Sequence, residues 1–125
     1  MAEVMAMRAK DTLGRDGEQA AAEYLERNGM RILARNWRCS AGEIDIVAAH
    51  GRVLVVCEVK TRSSTRYGTP LEAITRAKLR RLRRLAIQWV SAYGVLFDEI
   101  RIDVVGLICD PAGGFTIEHV RGVGR

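Results

Sequence analysis

The stretch that decides the fold is GEIDIVAAHGRVLVVCEVK, residues 42–60. Residues 43–49 and 53–60 are rich in apolar and β-branched side chains, and the His-Gly-Arg segment between them is typical of a tight β-hairpin turn. The second run opens with the consecutive apolar residues VLVVC. Such a run predicts a strand that is covered on both faces and is therefore central in its sheet.

The hairpin also brings charged residues of its two strands together. Strand side chains alternate between faces, so Glu58 and Lys60 point the same way. With a two-residue loop at Gly51-Arg52, Asp45 faces Glu58; with the loop one residue earlier, Glu43 takes that place. Both registers put Asp45, Glu58 and Lys60 on one face, whereas a three-residue bulged loop does not.

This combination of charges is suited to a metal centre. Two adjacent carboxylates repel and raise each other's pKa, and a divalent cation relieves that conflict. Mg²⁺ favours one or two carboxylates together with water and phosphate oxygens. A lysine two residues along could stabilise charge on a phosphate or orient a water molecule. The pattern therefore fits phosphodiester hydrolysis.

A plainer interpretation of the hairpin stays open. Solvent-facing charges on a strand are common, and an exposed Glu-Lys pair contributes less than about 1 kcal/mol. Here, however, the charges end a strand that begins fully apolar. A carboxylate at such a position is costly unless it has a partner or a function.

The remaining elements are predicted from periodicity and from glycine and proline positions. The resulting order is αβββαββ, an α/β chain with a central mixed sheet flanked by helices. The predicted helices are Thr12–Gly29 and Glu72–Tyr93, and the predicted strands outside the hairpin are Arg31–Trp37, Glu99–Cys109 and Phe115–Val120. We expect one domain over residues 1–125, with flexible tails at about 1–10 and 121–125.

The net charge of +5 resides in one segment. Residues 71–93 carry six basic residues and one acidic residue, while the rest of the chain is neutral. Such a concentration of charge is typical of a surface that binds a polyanion, although a solvated helix face or a docking surface for an acidic protein would look the same. Four arginines share the outward face of the predicted helix, and Lys78 falls on its inward side; the arginines are Arg76, Arg80, Arg83 and Arg84.

Cysteine usage and hydropathy indicate the compartment. Cys39, Cys57 and Cys109 are odd in number and lack metal-ligand spacing, which favours reduced thiols in the cytoplasm. Residues 1–10 do not have the apolar run of a signal peptide, and no segment approaches a membrane span. We therefore expect a cytoplasmic protein with no membrane partner.

The charged residues of the hairpin, with motifs along the rest of the chain, resemble a known family. Asp45, Glu58 and Lys60 resemble the Asp…Glu-x-Lys signature of the PD-(D/E)XK nucleases, with Ile44 where that signature has proline. More narrowly, residues 14–119 resemble the YraN family of uncharacterised bacterial proteins. The motifs that carry this resemblance are Gly17-Glu18, Tyr24-Leu25, RNWR (35–38), GEID (42–45), EVK (58–60) with Arg62, GTPLEA (68–73), Lys78 and RIDVV (101–105).

The resemblance implies a restriction-endonuclease-like fold related to Holliday-junction resolvases. It implies Asp45 and Glu58 as metal ligands for Mg²⁺ or Mn²⁺, Lys60 as a catalytic residue and Glu18 as an additional catalytic acid. It further implies a DNA endonuclease, acting on branched or damaged DNA, that works as a homodimer. Nucleic acid would be bound by Arg62, Arg76, Lys78, Arg80, Arg83 and Arg84. The alternative is a nucleic-acid-binding module that keeps the fold and cleaves nothing.

Overall fold

The computed structural model describes residues 2–64, 69, 72 and 74–124, with side chains from Thr12 onward. The predicted order αβββαββ is confirmed. The helices are α1 (Ala2–Arg27) and α2 (Arg76–Tyr93). The strands are β1 (Arg31–Cys39), β2 (Gly42–His50), β3 (Val53–Arg62), β4 (Glu99–Cys109) and β5 (Phe115–Val120).

The five strands form one mixed sheet in the order β1-β2-β3-β4-β5. The pair β3–β4 is parallel, and the other three neighbouring pairs are antiparallel. A parallel pair needs a long crossover, and α2 lies in that connection. The strand β3 is central, as its apolar run predicted.

The register of the β2–β3 hairpin decides between the two loops that the sequence left open. His50 pairs with Val53, so the loop is Gly51-Arg52. Gly51 has φ 61°, a left-handed conformation that glycine adopts without steric cost. The paired residues end at Ile46 and Cys57, one step before Asp45 and Glu58.

Each face of the sheet is covered by one helix. Ala21, Ala22 and Leu25 of α1 pack on one face, against side chains such as Val55 and Cys57 of β3. On the other face α2 packs against the intervening residues of β2, β3 and β4. The α2 residues of this second core are Leu82, Leu85, Ala86 and Trp89. None of the described helices is long and apolar enough to cross a membrane.

Gly17 lets α1 approach β3 closely. A Cβ atom at this position would overlap the side chain of Thr61, whereas a Cβ at Gly14 would meet no atom within 4 Å. Gly17 lies inside the helix, where glycine ordinarily has only a weakening effect. Its absent side chain instead allows the helix to contact the strand one residue beyond Lys60, which draws the neighbouring Glu18 toward the same end of β3.

Both helix starts differ from the sequence predictions. The first helix begins at Ala2 rather than Thr12, so residues 2–10, expected as a tail, continue α1. These residues include alanine, methionine, glutamate and lysine, which have high helix propensity. The second helix begins at Arg76 rather than Glu72, because Thr75 caps it: its side chain accepts a hydrogen bond from the Lys78 N–H at 3.1 Å.

The expected C-terminal tail is also held in place as far as Gly124. The Val123 N–H donates to the Ile102 carbonyl at 2.8 Å, on the side of β4 that pairs with β5. The Gly124 carbonyl accepts from the guanidinium of Arg83 at 3.4 Å. Backbone groups of this segment thus pair with partners that are distant in sequence.

The contrast between the two glycines of α1 gives a stability test. Gly17→Ala should lower the free energy of unfolding by about 1–3 kcal/mol, because the added methyl overlaps Thr61 in a packed interface. Gly14→Ala should raise it by about 0.5–1 kcal/mol through helix propensity alone. Urea unfolding of both variants measures the difference, and stabilisation by both substitutions would contradict the close contact.

Candidate active site

The candidate site lies where β2 and β3 separate. Their ladder ends at the pair Ile46–Cys57, although β2 stays paired with β1 as far as Gly42 and β3 with β4 as far as Arg62. Beyond the last pair, the Val59 N–H donates to Oδ2 of Asp45 at 2.8 Å. The carboxylate of Asp45 therefore lies in the gap between the two strands and replaces a backbone acceptor of β2.

Glu58 occupies the other side of this gap and is buried, with 8% of its side chain exposed. Its Oε1 atom is shared by two ammonium groups: Nζ of Lys78 lies 2.6 Å away and Nζ of Lys60 lies 3.4 Å away. Lys60 comes from the same strand face, as strand alternation predicted. Lys78 enters from the first turn of α2, on the inward side that its helical position predicted.

The environment of Asp45 disfavours its charge. Burial and, after it, repulsion by Glu58 raise the pKa of Asp45 to about 6, and the Val59 hydrogen bond offsets only part of this. Glu18 and Glu43 add smaller repulsions. The site thus concentrates acidic side chains whose mutual repulsion a bound cation would relieve.

The two lysines differ electrostatically. Burial, together with the adjacent Lys78 ammonium, lowers the pKa of Lys60. For Lys78, burial acts to lower the pKa. Hydrogen bonding to Glu58 and Lys60, the Glu58 charge and, least, the Asp45 charge outweigh burial, so the pKa is raised. Lys78 is therefore the firmer counter-ion of Glu58, and Lys60 is the ammonium that is held less strongly.

Glu18 borders the site from α1. Its Oε2 accepts a hydrogen bond from the Asn36 side chain at 3.2 Å, and its charge contributes to the raised pKa of Asp45. Asn36 has φ 50°, a left-handed conformation rare outside glycine. Sequence reasoning gave Asn36 no role; the RNWR motif was its only signal, and the side chain orients Glu18.

The predicted nucleic-acid-binding residues fall into two places. Arg62 shares strand parity with Glu58 and Lys60, and its buried Nε has no hydrogen-bond partner among the described residues. The arginines of α2 lie apart from the carboxylates: Arg76, Arg80 and Arg84 are exposed, and Arg83 reaches the C-terminal segment. Arg80, Arg83 and Arg84 line a surface pocket of about 270 Å³.

A second polar cluster lies on the opposite face of the sheet. Asp103 is fully buried and accepts hydrogen bonds from Arg101 at 2.9 and 3.0 Å, from His119 at 2.8 Å and from the Gly122 N–H at 3.1 Å. Burial acts to raise the pKa of Asp103, but these bonds lower it overall. The other ring nitrogen of His119 lies 3.2 Å from the Tyr24 hydroxyl. The cluster joins β4, β5, α1 and the C-terminal segment, which is a structural role.

Comparison with known proteins identifies the family. The model of "Uncharacterised protein family UPF0102" matches residues 17–107. The chain belongs to the UPF0102 family. It is 57% identical over 115 residues to a UPF0102 protein of Nocardioides sp. (strain JS614), covering 92% of this chain and 93% of the relative. It is 58% identical over 118 residues to a UPF0102 protein of Arthrobacter sp. (strain FB24), covering 94% and 100%.

The match confirms the resemblance to the YraN family, which is UPF0102. The matched UPF0102 segment begins at Gly17 and ends at Leu107, so it contains Glu18, Asp45, Glu58 and every strand residue of the gap. The family description names no activity.

The raised pKa of Asp45 has a consequence for stability. The folded protein holds this proton more tightly than the unfolded chain, so the contribution of Asp45 to stability falls as the pH rises from about 4 to about 6. Asp45→Asn keeps an acceptor for the Val59 N–H and removes the charge. It should raise the free energy of unfolding at pH 8 by about 1–3 kcal/mol and leave it nearly unchanged at pH 4.

Asp110→Asn is the matched control for this measurement. Asp110 is exposed and likewise accepts a backbone hydrogen bond, from the Ala112 N–H at 2.9 Å. Denaturant unfolding at both pH values, without divalent cations, measures the effect. If Asp45→Asn destabilises the protein at pH 8 as much as at pH 4, the repulsive carboxylate site is wrong.

Proposed function

We propose that the protein is a divalent-metal-dependent endonuclease that hydrolyses phosphodiester bonds in DNA. The observation that carries this proposal is the proximity of the Asp45 and Glu58 carboxylates, which repel each other where β2 and β3 separate, with Lys60 beside Glu58. This geometry supports the assignment to the PD-(D/E)XK nucleases, whose Asp…Glu-x-Lys signature these residues resemble. The three free cysteines support a cytoplasmic location.

The donor set of the site fits a hard cation. Asp45 and Glu58 offer carboxylate oxygens in a partly buried gap, and the repulsion that raises the pKa of Asp45 is relieved by positive charge. Among the described residues, no group of three His, Cys, Asp or Glu side chains converges on one point. Mg²⁺ and Mn²⁺ suit such a site, since Mg²⁺ retains water and phosphate oxygens beside one or two carboxylates.

Asp45 and Glu58 would hold the ion, with Glu18 as a further acid at the rim of the gap. When bound, the ion would polarise the scissile phosphate and lower the pKa of a coordinated water. The Val59 N–H fixes Oδ2 of Asp45, and within the described residues Oδ1 makes no hydrogen bond. Asn36 orients Glu18, so the three carboxylates are each held by a partner from the protein.

Lys60 would act at the phosphate. Its side chain is 29% exposed and its ammonium lies 3.4 Å from Glu58, so Lys60 is close to the proposed metal position and a ligand can reach it. An ammonium group in a partly buried site stabilises negative charge that develops on a phosphate, and it can orient the attacking water. Arg62, two residues farther along the same strand, would add a second positive charge near the phosphate.

The arginines of α2 would bind the DNA backbone. Arg76, Arg80 and Arg84 are exposed, and with Arg83 they form a basic surface on the helix that also supplies Lys78 to the site. Contacts from arginine to phosphate position a duplex without reading its sequence. We infer a substrate recognised by backbone and shape, such as branched or damaged DNA.

One observation favours a second candidate function. Glu58 is already paired with two lysines, so this carboxylate has positive partners without a metal ion. A nucleic-acid-binding module that retains the fold and does not cleave would have the same arrangement. Both candidates would bind DNA, but only the nuclease would cleave it.

A cleavage assay separates the candidates. Wild-type protein with Mg²⁺ or Mn²⁺ should cut at least one of duplex, single-stranded and branched DNA. Glu58→Gln should reduce the rate by about a hundredfold or more, because it removes a metal ligand. Glu118→Gln, an exposed residue of β5, is the control and should retain the wild-type rate. DNA binding is measured in parallel by fluorescence anisotropy.

The outcomes are distinct. Binding of DNA without cleavage, with both metals and all three substrates, would establish the non-catalytic module. Equal cleavage by wild type and Glu58→Gln would show that the activity does not come from this site.

A further inference from the structure

The Oε1 atom of Glu58 is in contact with two lysine ammonium groups. Lys78 Nζ lies 2.6 Å away, the shortest ion pair in the described part of the chain, and Lys60 Nζ lies 3.4 Å away. Glu58 is the only one of these three side chains that is almost fully buried. Because little water reaches this oxygen, its charge is satisfied almost entirely by lysine.

The two lysines offset the formal charges of Asp45 and Glu58, while Glu18 and Glu43 remain as nearby acids. Asp45 and Glu58 bring two negative charges, and Lys60 and Lys78 bring two positive ones. A divalent cation that takes Oε1 of Glu58 must therefore displace an ammonium group, since two cations on one oxygen atom in a low-dielectric position repel strongly. Lys78 makes the shorter contact, so it is the main competitor.

The Lys78 ammonium is also able to change position. Its side chain is 21% exposed and extends from the first turn of α2, where Thr75 fixes the backbone but not the ammonium. A lysine ammonium is a compact charge on a flexible four-carbon stem. It can leave Glu58 and remain within a few ångströms of the gap.

We propose that Lys78 is a displaceable counter-ion: it holds Glu58 in the metal-free protein, is released when a divalent cation binds, and then becomes available to a substrate phosphate. This inference rests on the proposed function, because it assumes that Asp45 and Glu58 take the cation. It means that metal binding both completes the site and supplies a free ammonium for the anionic substrate.

The first test is Mn²⁺ affinity without DNA, measured by titration calorimetry. Lys78→Met removes the competing charge and should tighten Mn²⁺ binding by at least about fivefold. Lys78→Arg keeps a cation at the position and should bind Mn²⁺ like wild type. Arg27→Met, an exposed residue at the end of α1, controls for net charge and should also behave as wild type. Thermal unfolding checks that each variant is folded.

The second test needs no variant at position 78. The chain has three lysines, Lys10, Lys60 and Lys78, so acetic anhydride labelling can be followed at each by mass spectrometry. Saturating Mn²⁺ should raise the labelling rate of Lys78, relative to Lys10, by about fivefold or more, because the ammonium loses its ion pair. In Glu58→Gln the same addition should leave the ratio unchanged.

The results separate this inference from the proposed function. If Mn²⁺ binds wild type and Lys78→Met equally, or binds wild type without changing the labelling of Lys78, the displacement is wrong while the metal site stands. If no variant binds Mn²⁺, the proposed function fails and the inference fails with it.

Discussion

The hydrogen bond from the Val59 N–H to the Asp45 carboxylate is the interaction on which the site depends. It ends the ladder between β2 and β3 while leaving both strands paired to their outer neighbours. The backbone donor of β3 is satisfied by a side chain, so the strands can separate without an orphaned N–H. The separation creates a partly buried space in a sheet that would otherwise be closed.

The two helices complete this space from opposite faces of the sheet. The glycine at position 17 allows α1 to contact Thr61, which brings Glu18 to the end of β3. The Thr75 cap starts α2 so that its first turn delivers Lys78 to Glu58. The Asp103 cluster is separate: it secures β4, β5 and the C-terminal segment on the α1 face, and its carboxylate has no free oxygen for a ligand. The Asp103 carboxylate therefore has its partners on both oxygens, whereas at the candidate site Lys60 and Lys78 share one oxygen of Glu58.

Periodicity was enough to predict much of this arrangement. The two-residue period of a strand put Glu58 and Lys60 on one face, and the 100° step of a helix put Lys78 inward. The strand separation could not be predicted, because it depends on a side chain-to-backbone hydrogen bond between Asp45 and Val59. Nor could the burial of Asp103, whose partner His119 and the neighbouring Tyr24 come from distant parts of the sequence. Local patterns fix which face a residue takes; they do not fix which distant group meets it there.

Under the proposed function, Asp45 and Glu58 act together as one cation site. Anomalous diffraction from crystals soaked in Mn²⁺ tests it most directly. An anomalous peak is expected in the gap between β2 and β3, within coordination distance of both carboxylates, with the Lys78 ammonium displaced from Glu58. A fully occupied Mn²⁺ elsewhere, with Lys78 still on Glu58 and no peak at Asp45, would contradict it.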